Sequence, residues 1–254
     1  MLEHAALAFA GVAIGLVSAL LGVGGGGFIV PLLVLGGYVG ETKVAVGTSI
    51  AAVAFTSLSS SAGYLRDGAV DVRLGLLLMP STVAGAYVGA TASDVLPDDV
   101  LSVLFGIFLI YPGFKMAVDR ETASRMEFDG LARGAQVALA SGFGVVVGFS
   151  SGLFGIGGGS LMVPVLVFVL GLTMTRAVAT SLFAMFPGAV VASARQWQQG
   201  NLVPDLALPL IAGVTVGAYL GPSTARHVPE ATVRRAFGVL LVLLAARMVA
   251  RGAL

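Results

Sequence analysis

The chain has no cysteine. Disulfides, thiolate metal sites and cysteine nucleophiles are therefore excluded. Histidine is almost as scarce: His4 and His227 are the only two, and both fall near the ends of predicted segments. Haem and zinc chemistry lack a ligand set, so no metal and no cofactor is expected. Charge is the third shortage. Only 11% of the 254 residues are Asp, Glu, Lys or Arg, against about 25% in soluble domains. The net charge of +1 gives no reason to expect a nucleic-acid partner.

Apolar residues fill the space. They make up 57% of the chain, and the mean hydropathy is +0.99. A soluble fold of this length cannot hide so much apolar surface, which makes this an integral membrane protein with lipid as its neighbour. The apolar runs are long enough to span and are separated by short charged stretches. That argues for helices, because a membrane barrel would alternate apolar and polar residues in strands of roughly 10 residues. The N-terminus does not read as a secretory signal. It carries Glu3 and His4 in place of a basic region, and its apolar run recurs later in the chain.

That recurrence organises the whole sequence. Residues 11–34 and 144–167 match at 13 of 24 positions with an offset of 133. The matches include Gly22 with Gly155, the triplet Gly24–Gly26 with Gly157–Gly159, and Pro31 with Pro164. At an offset of 132 the duplication continues through Thr48-Ser49 with Thr180-Ser181, and Gly85-Ala86-Tyr87 with Gly217-Ala218-Tyr219. The chain thus divides into a first membrane repeat over 1–118, a charged cytoplasmic linker over 119–133, and a second membrane repeat over 134–254.

Each repeat opens with a long apolar element, over 5–37 and 135–170. Helices follow at about 43–64, 73–92 and 98–117, and at 174–195, 203–222 and 231–250. The opening element is too long for one simple span: at 1.5 Å per residue it would reach roughly 50 Å against a hydrocarbon core of about 30 Å. Four glycines at 24–27 break it, so the expectation is a helix to about 22 and a shorter one from about 28. Pro31 and Pro164 then sit in first turns, where a missing N–H costs little. If each broken element returns to its starting side, the two repeats are inverted. Positive-inside counting leans that way, with 10 Lys and Arg against 4 in the inverted arrangement and 9 against 5 in the parallel one. The fold class expected is an all-α polytopic membrane protein of two inverted repeats, each with a discontinuous first element and three spanning helices.

The candidate binding residues are the glycine clusters, Gly24, Gly25, Gly26 and Gly27, with Gly157, Gly158, Gly159 and Ser160. An unwound glycine turn exposes backbone N–H groups, and the short helix after it aims its positive end at the same spot. Duplicated broken helices are the best sequence pointer to a transporter site. The plain alternative is close helix packing through small residues. A literal GxGxxG at Gly22, Gly24 and Gly27 is not a dinucleotide site, since the segment is no strand–turn–helix and the second copy has Ser160 in the last place.

The hydroxyl pairs Thr48-Ser49 and Thr180-Ser181 are candidate anion donors, unless they bond back to their own helix. The run Ser57 to Ser61 is polar enough to line a pore, but its counterpart over 189–193 is mostly apolar. Arg195, Gln196 and Trp197 form the one mixed aromatic and polar cluster, readable as a gate or as an interfacial belt. Lys43 and Arg176 begin the second helix of each repeat and could guide anions or simply snorkel. No Asp, Glu or His lies deep in a predicted span, so no proton relay is visible.

The paired motifs GLVSALLGVGGGGFIVP and GLFGIGGGSLMVP, each followed by a Thr-Ser helix, resemble the TauE/SafE family of sulfite exporters. The resemblance covers essentially the whole chain. It implies a multi-pass protein of the bacterial cytoplasmic membrane, not an enzyme, that exports sulfite, thiosulfate or a small organosulfonate, with the glycine-motif positions as the residues carried over. The readings that compete with this are a membrane-embedded assembly factor and a transporter of another small anion.

Overall fold

A computed structural model of the chain describes residues 2–118, 132–225 and 230–252. Most of the linker expected over 119–133, and His227, lie outside the described residues. Ten helices are described and no strand occurs among those residues. The first repeat supplies α1 (Leu2–Leu21), α2 (Gly26–Leu35), α3 (Thr42–Arg66), α4 (Val72–Val95) and α5 (Asp98–Val118). The second supplies α6 (Arg133–Phe154), α7 (Gly159–Phe168), α8 (Met174–Gln198), α9 (Pro204–Ala225) and α10 (Glu230–Gly252).

Six of these, α1, α3, α4, α6, α8 and α9, are long and apolar enough to cross a membrane. The short helices α2 and α7 have 10 residues each, about 15 Å and so half a hydrocarbon core. The outer surface is apolar as lipid requires: Phe9 on α1 and Val95 on α4 are each 80% exposed.

The broken first elements appear as expected, but the second piece starts earlier. Gly25 and Gly158 adopt left-handed conformations, φ 97° and 76°, and their carbonyls accept from Phe28 and Ile29 and from Leu161 and Met162. Those bonds start α2 at Gly26 and α7 at Gly159, one residue before the glycine run ends in the first repeat. Pro31 is consequently the sixth residue of α2, and Pro164 the sixth of α7. The expectation of a first-turn proline is corrected on this point. Each ring removes a helical bond to the residue four before it, leaving the carbonyls of Gly27 and Ser160 without that partner.

The repeats pack by exchange. Helix α1 lies along α9, and α6 lies along α4, through small residues. A Cβ on Gly11 would meet Leu210, Gly213 and Val214, and one on Gly221 would meet Ala19. The contacts advance together along both chains, so α1 and α9 run parallel. In the same way Gly85 faces Val145 and Gly89 faces Leu153, so α4 and α6 run parallel. Equivalent helices do the opposite. The Val203 N–H, just before α9, meets Thr48 near the start of α3, and the Asp71 N–H, just after α3, meets Thr180 near the start of α8. Helices α3 and α8 are therefore antiparallel. So are α5 and α10, where Gly106 faces Ala245 and Val249 while Gly252 faces Asp99 and Ser102.

The most enclosed helix is α3, with Ala45, Val46, Ile50, Ala52 and Val53 all at 0% exposure. It crosses α8 through the small side chains Ala54, Ala189 and Ala192. One large core cluster gathers α2 with α5 and α10, where Phe154 meets Phe105 edge-on at 5.9 Å and Phe108 at 4.8 Å. A second gathers α7 with α8.

Candidate functional site

The two glycine breaks meet each other. A Cβ on Gly24 would stand 3.5 Å from the Gly157 Cα, and one on Gly157 would stand 3.6 Å from the Gly24 Cα. Gly26 admits no side chain at all, because its Cβ would overlap the Gly155 carbonyl oxygen. Gly159 is barred in the same way by the Gly22 carbonyl. The backbones thus cross at van der Waals contact, and the glycines make that crossing possible. Gly22, Gly24, Gly25, Gly155, Gly157 and Gly158 also hold positive φ values between 65° and 97°, a region other residues enter only with strain.

The crossing leaves donors unused. No hydrogen bond is found for the N–H groups of Gly24 through Gly27, or for those of Ile156 through Ser160. All nine residues are buried. Unpaired buried N–H groups are rare, and here they cluster at two helix N-termini whose dipoles point into the same region. The side chains around them carry no charge. Among the described residues the buried polar set consists of Ser, Thr, Gln and Asn, with no Asp, Glu, Lys or Arg. Four serine hydroxyls, those of Ser18, Ser57, Ser61 and Ser160, are buried without a partner.

The structure brings part of the expected set to this crossing. The Ser49 hydroxyl donates to the Gly155 carbonyl at 2.8 Å, and the Ser181 hydroxyl reaches the Gly22 carbonyl at 3.2 Å. Each serine also bonds back to its own helix, to Val46 and Val178. These hydroxyls pin one repeat to the break of the other, so an anion would have to compete with carbonyls for them. Thr48 and Thr180 sit one residue away, fully buried on α3 and α8. Their oxygens accept from Val203 N–H at 3.2 Å and Asp71 N–H at 2.9 Å, fixing the chain at the two loops.

The charged candidates lie elsewhere. Lys43 pairs with Glu41 at 3.1 Å, and Arg176 with Asp71 at 3.3 Å, both at helix starts. Arg195 donates to Thr91 at 3.1 Å and lies 5.7 Å from the centre of the Tyr87 ring. Trp197 is 59% exposed at the end of α8. Gln196 is different in kind: it is buried, donates to Ser93 at 2.7 Å and accepts from Asn201 at 3.1 Å. Asn201 also donates to Asp94 at 2.9 Å. This group ties the ends of α4 and α8 together, away from the breaks. Asn201 and Ser93 in this cluster were not marked by motif or duplication, their equivalents being Ala69 and Ala225. Ser18 at the first break did carry a signal, its recurrence as Ser151 inside the repeated segment.

The comparisons with known proteins agree on one family. The profile described as Sulfite exporter TauE/SafE matches residues 7–248. Probable membrane transporter protein YunE of Bacillus subtilis (strain 168) is 32% identical, covering 95% of this chain and 96% of its own length. Probable membrane transporter protein YdhB of the same organism is 26% identical over 88% and 91%. A probable membrane transporter protein of Xylella fastidiosa (strain Temecula1 / ATCC 700964) is 29% identical over 91% and 90%. No solved structure matches.

Proposed function

The chain belongs to the TauE/SafE family of membrane transporters, and we propose that it carries sulfite or a related small organosulfur anion past the paired glycine breaks. The family and these relatives are transporters and not enzymes, and the chain is a multi-pass protein of the bacterial inner membrane. The finer reading, substrate and site, rests on the geometry of the crossing.

One observation carries it. Two short helices present unbonded N–H groups at their N-termini, within an enclosed region that holds no charged side chain among the described residues. Such donors suit an oxyanion, whose several acceptor oxygens can take many hydrogen bonds at once. They also suit release. A buried cation would hold the anion strongly and slow its departure, whereas neutral donors bind without a full ion pair. The antiparallel pairing of α3 with α8 and of α5 with α10 supports an inverted arrangement in the membrane, with the substrate at the repeat interface.

The test is anion uptake into proteoliposomes, comparing sulfite, thiosulfate, sulfate, sulfoacetate and chloride, with and without a pH gradient. Saturable sulfite or organosulfonate flux is the expected result. Folded protein that moves none of the five would overturn the reading.

A further inference from the structure

The two breaks are alike in backbone but not in the side chains around them. Ser18, on α1, is 0% exposed, and its hydroxyl has no partner. That oxygen is the nearest atom, at 3.0 Å, to where a Cβ on Gly25 would stand. Gly25 caps α2, so the Ser18 hydroxyl lies at the mouth of that helix beside the free N–H groups.

Ser57 and Ser61 lie one turn apart on α3, at 0% and 5% exposure, and are equally without partners. Hydroxyls in apolar helices normally return to a carbonyl three or four residues back. Thr56 does this to Ala52, and Ser93 to Ala90. Ser57 and Ser61 do not. Their face of α3 also carries Val53, one turn before, and Tyr64, nearly a turn after. Val53 packs at the crossing, against both Gly24 and Gly157, and the Tyr64 hydroxyl donates to the Ala19 carbonyl at 3.0 Å. One anchor thus lies where the two breaks meet and the other on α1 just before the first break. The two free serines between them therefore border the first break.

The second repeat keeps only the first of these three: Ser18 recurs as Ser151, whose Cβ lies 3.3 Å from where a Cβ on Gly158 would stand. The equivalent of Ser57 is Ala189, and that of Ser61 is Ser193, which is only half-buried. Ser160, the one unpartnered serine of the second repeat, replaces Gly27, where a Cβ would meet only Leu109, Leu241 and Ile156.

The geometry points to one anion headgroup site, at the first break, with the hydroxyls of Ser18, Ser57 and Ser61 as its side-chain donors. This rests on the transport reading above and goes further, by assigning the donors and making the breaks unequal. Three hydroxyls joined to the N–H groups at the start of α2 fit a headgroup with three acceptor oxygens around one atom, as in sulfite or a sulfonate. A planar carboxylate of the same charge leaves part of the set unused.

The experiment is the concentration dependence of sulfite and methanesulfonate flux in proteoliposomes, for wild type, Ser18→Ala, Ser57→Ala and Ser61→Ala. Ser151→Ala and Ser193→Ala, at the second-repeat equivalents of Ser18 and Ser61, serve as controls. Each of the first three is expected to raise KM about tenfold, the equivalent of one hydrogen bond of about 1.4 kcal/mol, with maximal flux little changed and the controls at wild-type KM. The anion-free proteins are expected to unfold at or above the wild-type temperature, since an unpaired buried hydroxyl has been removed. Unchanged KM in all three overturns the assignment, and an equal rise in the controls overturns the asymmetry. Wild type that carries no anion at all instead sinks the transport reading, a result no variant can produce.

Discussion

Two adjacent glycines in one cluster should respond to the same substitution with opposite signs. Gly26→Ala puts a methyl on the Gly155 carbonyl oxygen, with the Ile156 Cα at 2.6 Å and the Gly155 carbonyl carbon at 2.7 Å. All three atoms are backbone, and the backbone there is held by the Ser49 hydroxyl at 2.8 Å. Relief requires the repeats to separate at their crossing. Overpacking costs about 1–3 kcal/mol where side chains can yield, and the pinning hydrogen bond adds about 1 kcal/mol. Helix propensity returns at most about 1 kcal/mol. The net expectation for Gly26→Ala is a loss of roughly 3 kcal/mol. Gly27→Ala meets only the side-chain ends of Leu109, Leu241 and Ile156, at 3.5, 3.6 and 3.9 Å. Its φ is not in the left-handed region, and the second repeat already places Ser160 there. It gains propensity and a buried methyl, so about 1 kcal/mol of stabilisation is expected. The assay is reversible unfolding of purified protein in detergent, with Gly159→Ala as the symmetry-related repeat of the first variant. If Gly26→Ala is as stable as wild type, or if Gly26→Ala and Gly27→Ala shift alike, the backbones do not cross as described.

Other outcomes follow from the ends of the bundle. Gln196→Ala leaves Ser93 and Asn201 short of a partner in a buried site, and is expected to cost about 1–3 kcal/mol in the same unfolding assay. Arg195→Ala removes a partly exposed contact with Thr91 and Tyr87 and is expected to cost under about 1 kcal/mol. Asp71 both caps α4 through the Leu74 N–H and pairs with Arg176, so Asp71→Ala is expected to lose about 1–2 kcal/mol, while Arg176→Ala loses only the exposed pair. Since the natural chain has no cysteine, topology can be read from Ser124→Cys and Ala253→Cys with an impermeant thiol reagent. Labelling from opposite sides is expected for inverted repeats, and labelling from one side refutes the inversion.

The duplication was legible because it repeats whole helices, and the break was legible because four glycines cannot continue one. Which helix meets which was not. Sequence symmetry makes α4 equivalent to α9, but it does not say that α1 seeks α9 and α6 seeks α4. That choice depends on small residues of one repeat facing carbonyls of the other, as Gly217 faces Val12 and Gly148 faces Thr82. The same blindness moved the start of α2. The left-handed turn at Gly25 is permitted by glycine, but it is placed there by the crossing.

The hydroxyls show where the limit lies for the site. Thr48-Ser49 and Thr180-Ser181 recur in both repeats, and recurrence suggested anion donors. Recurrence equally marks a symmetric fastener, and Ser49 and Ser181 each spend a proton on a carbonyl of the opposite break. The run from Ser57 to Ser61 reads as one polar patch, yet a helix distributes it over different faces. Ser59 and Ser60 turn to α9 and donate to the carbonyls of Thr215 and Ala218 at 2.9 and 3.5 Å. Ser57 and Ser61 find no partner and keep their protons. Neither recurrence nor asymmetry separates the two kinds: Ser59 and Ser60 fasten α3 to α9 although their equivalents are Val191 and Ala192, and Ser18 stays free although it recurs as Ser151. What separates them is the partner each finds, a carbonyl across the packing for the fasteners and none for Ser18, Ser57 and Ser61.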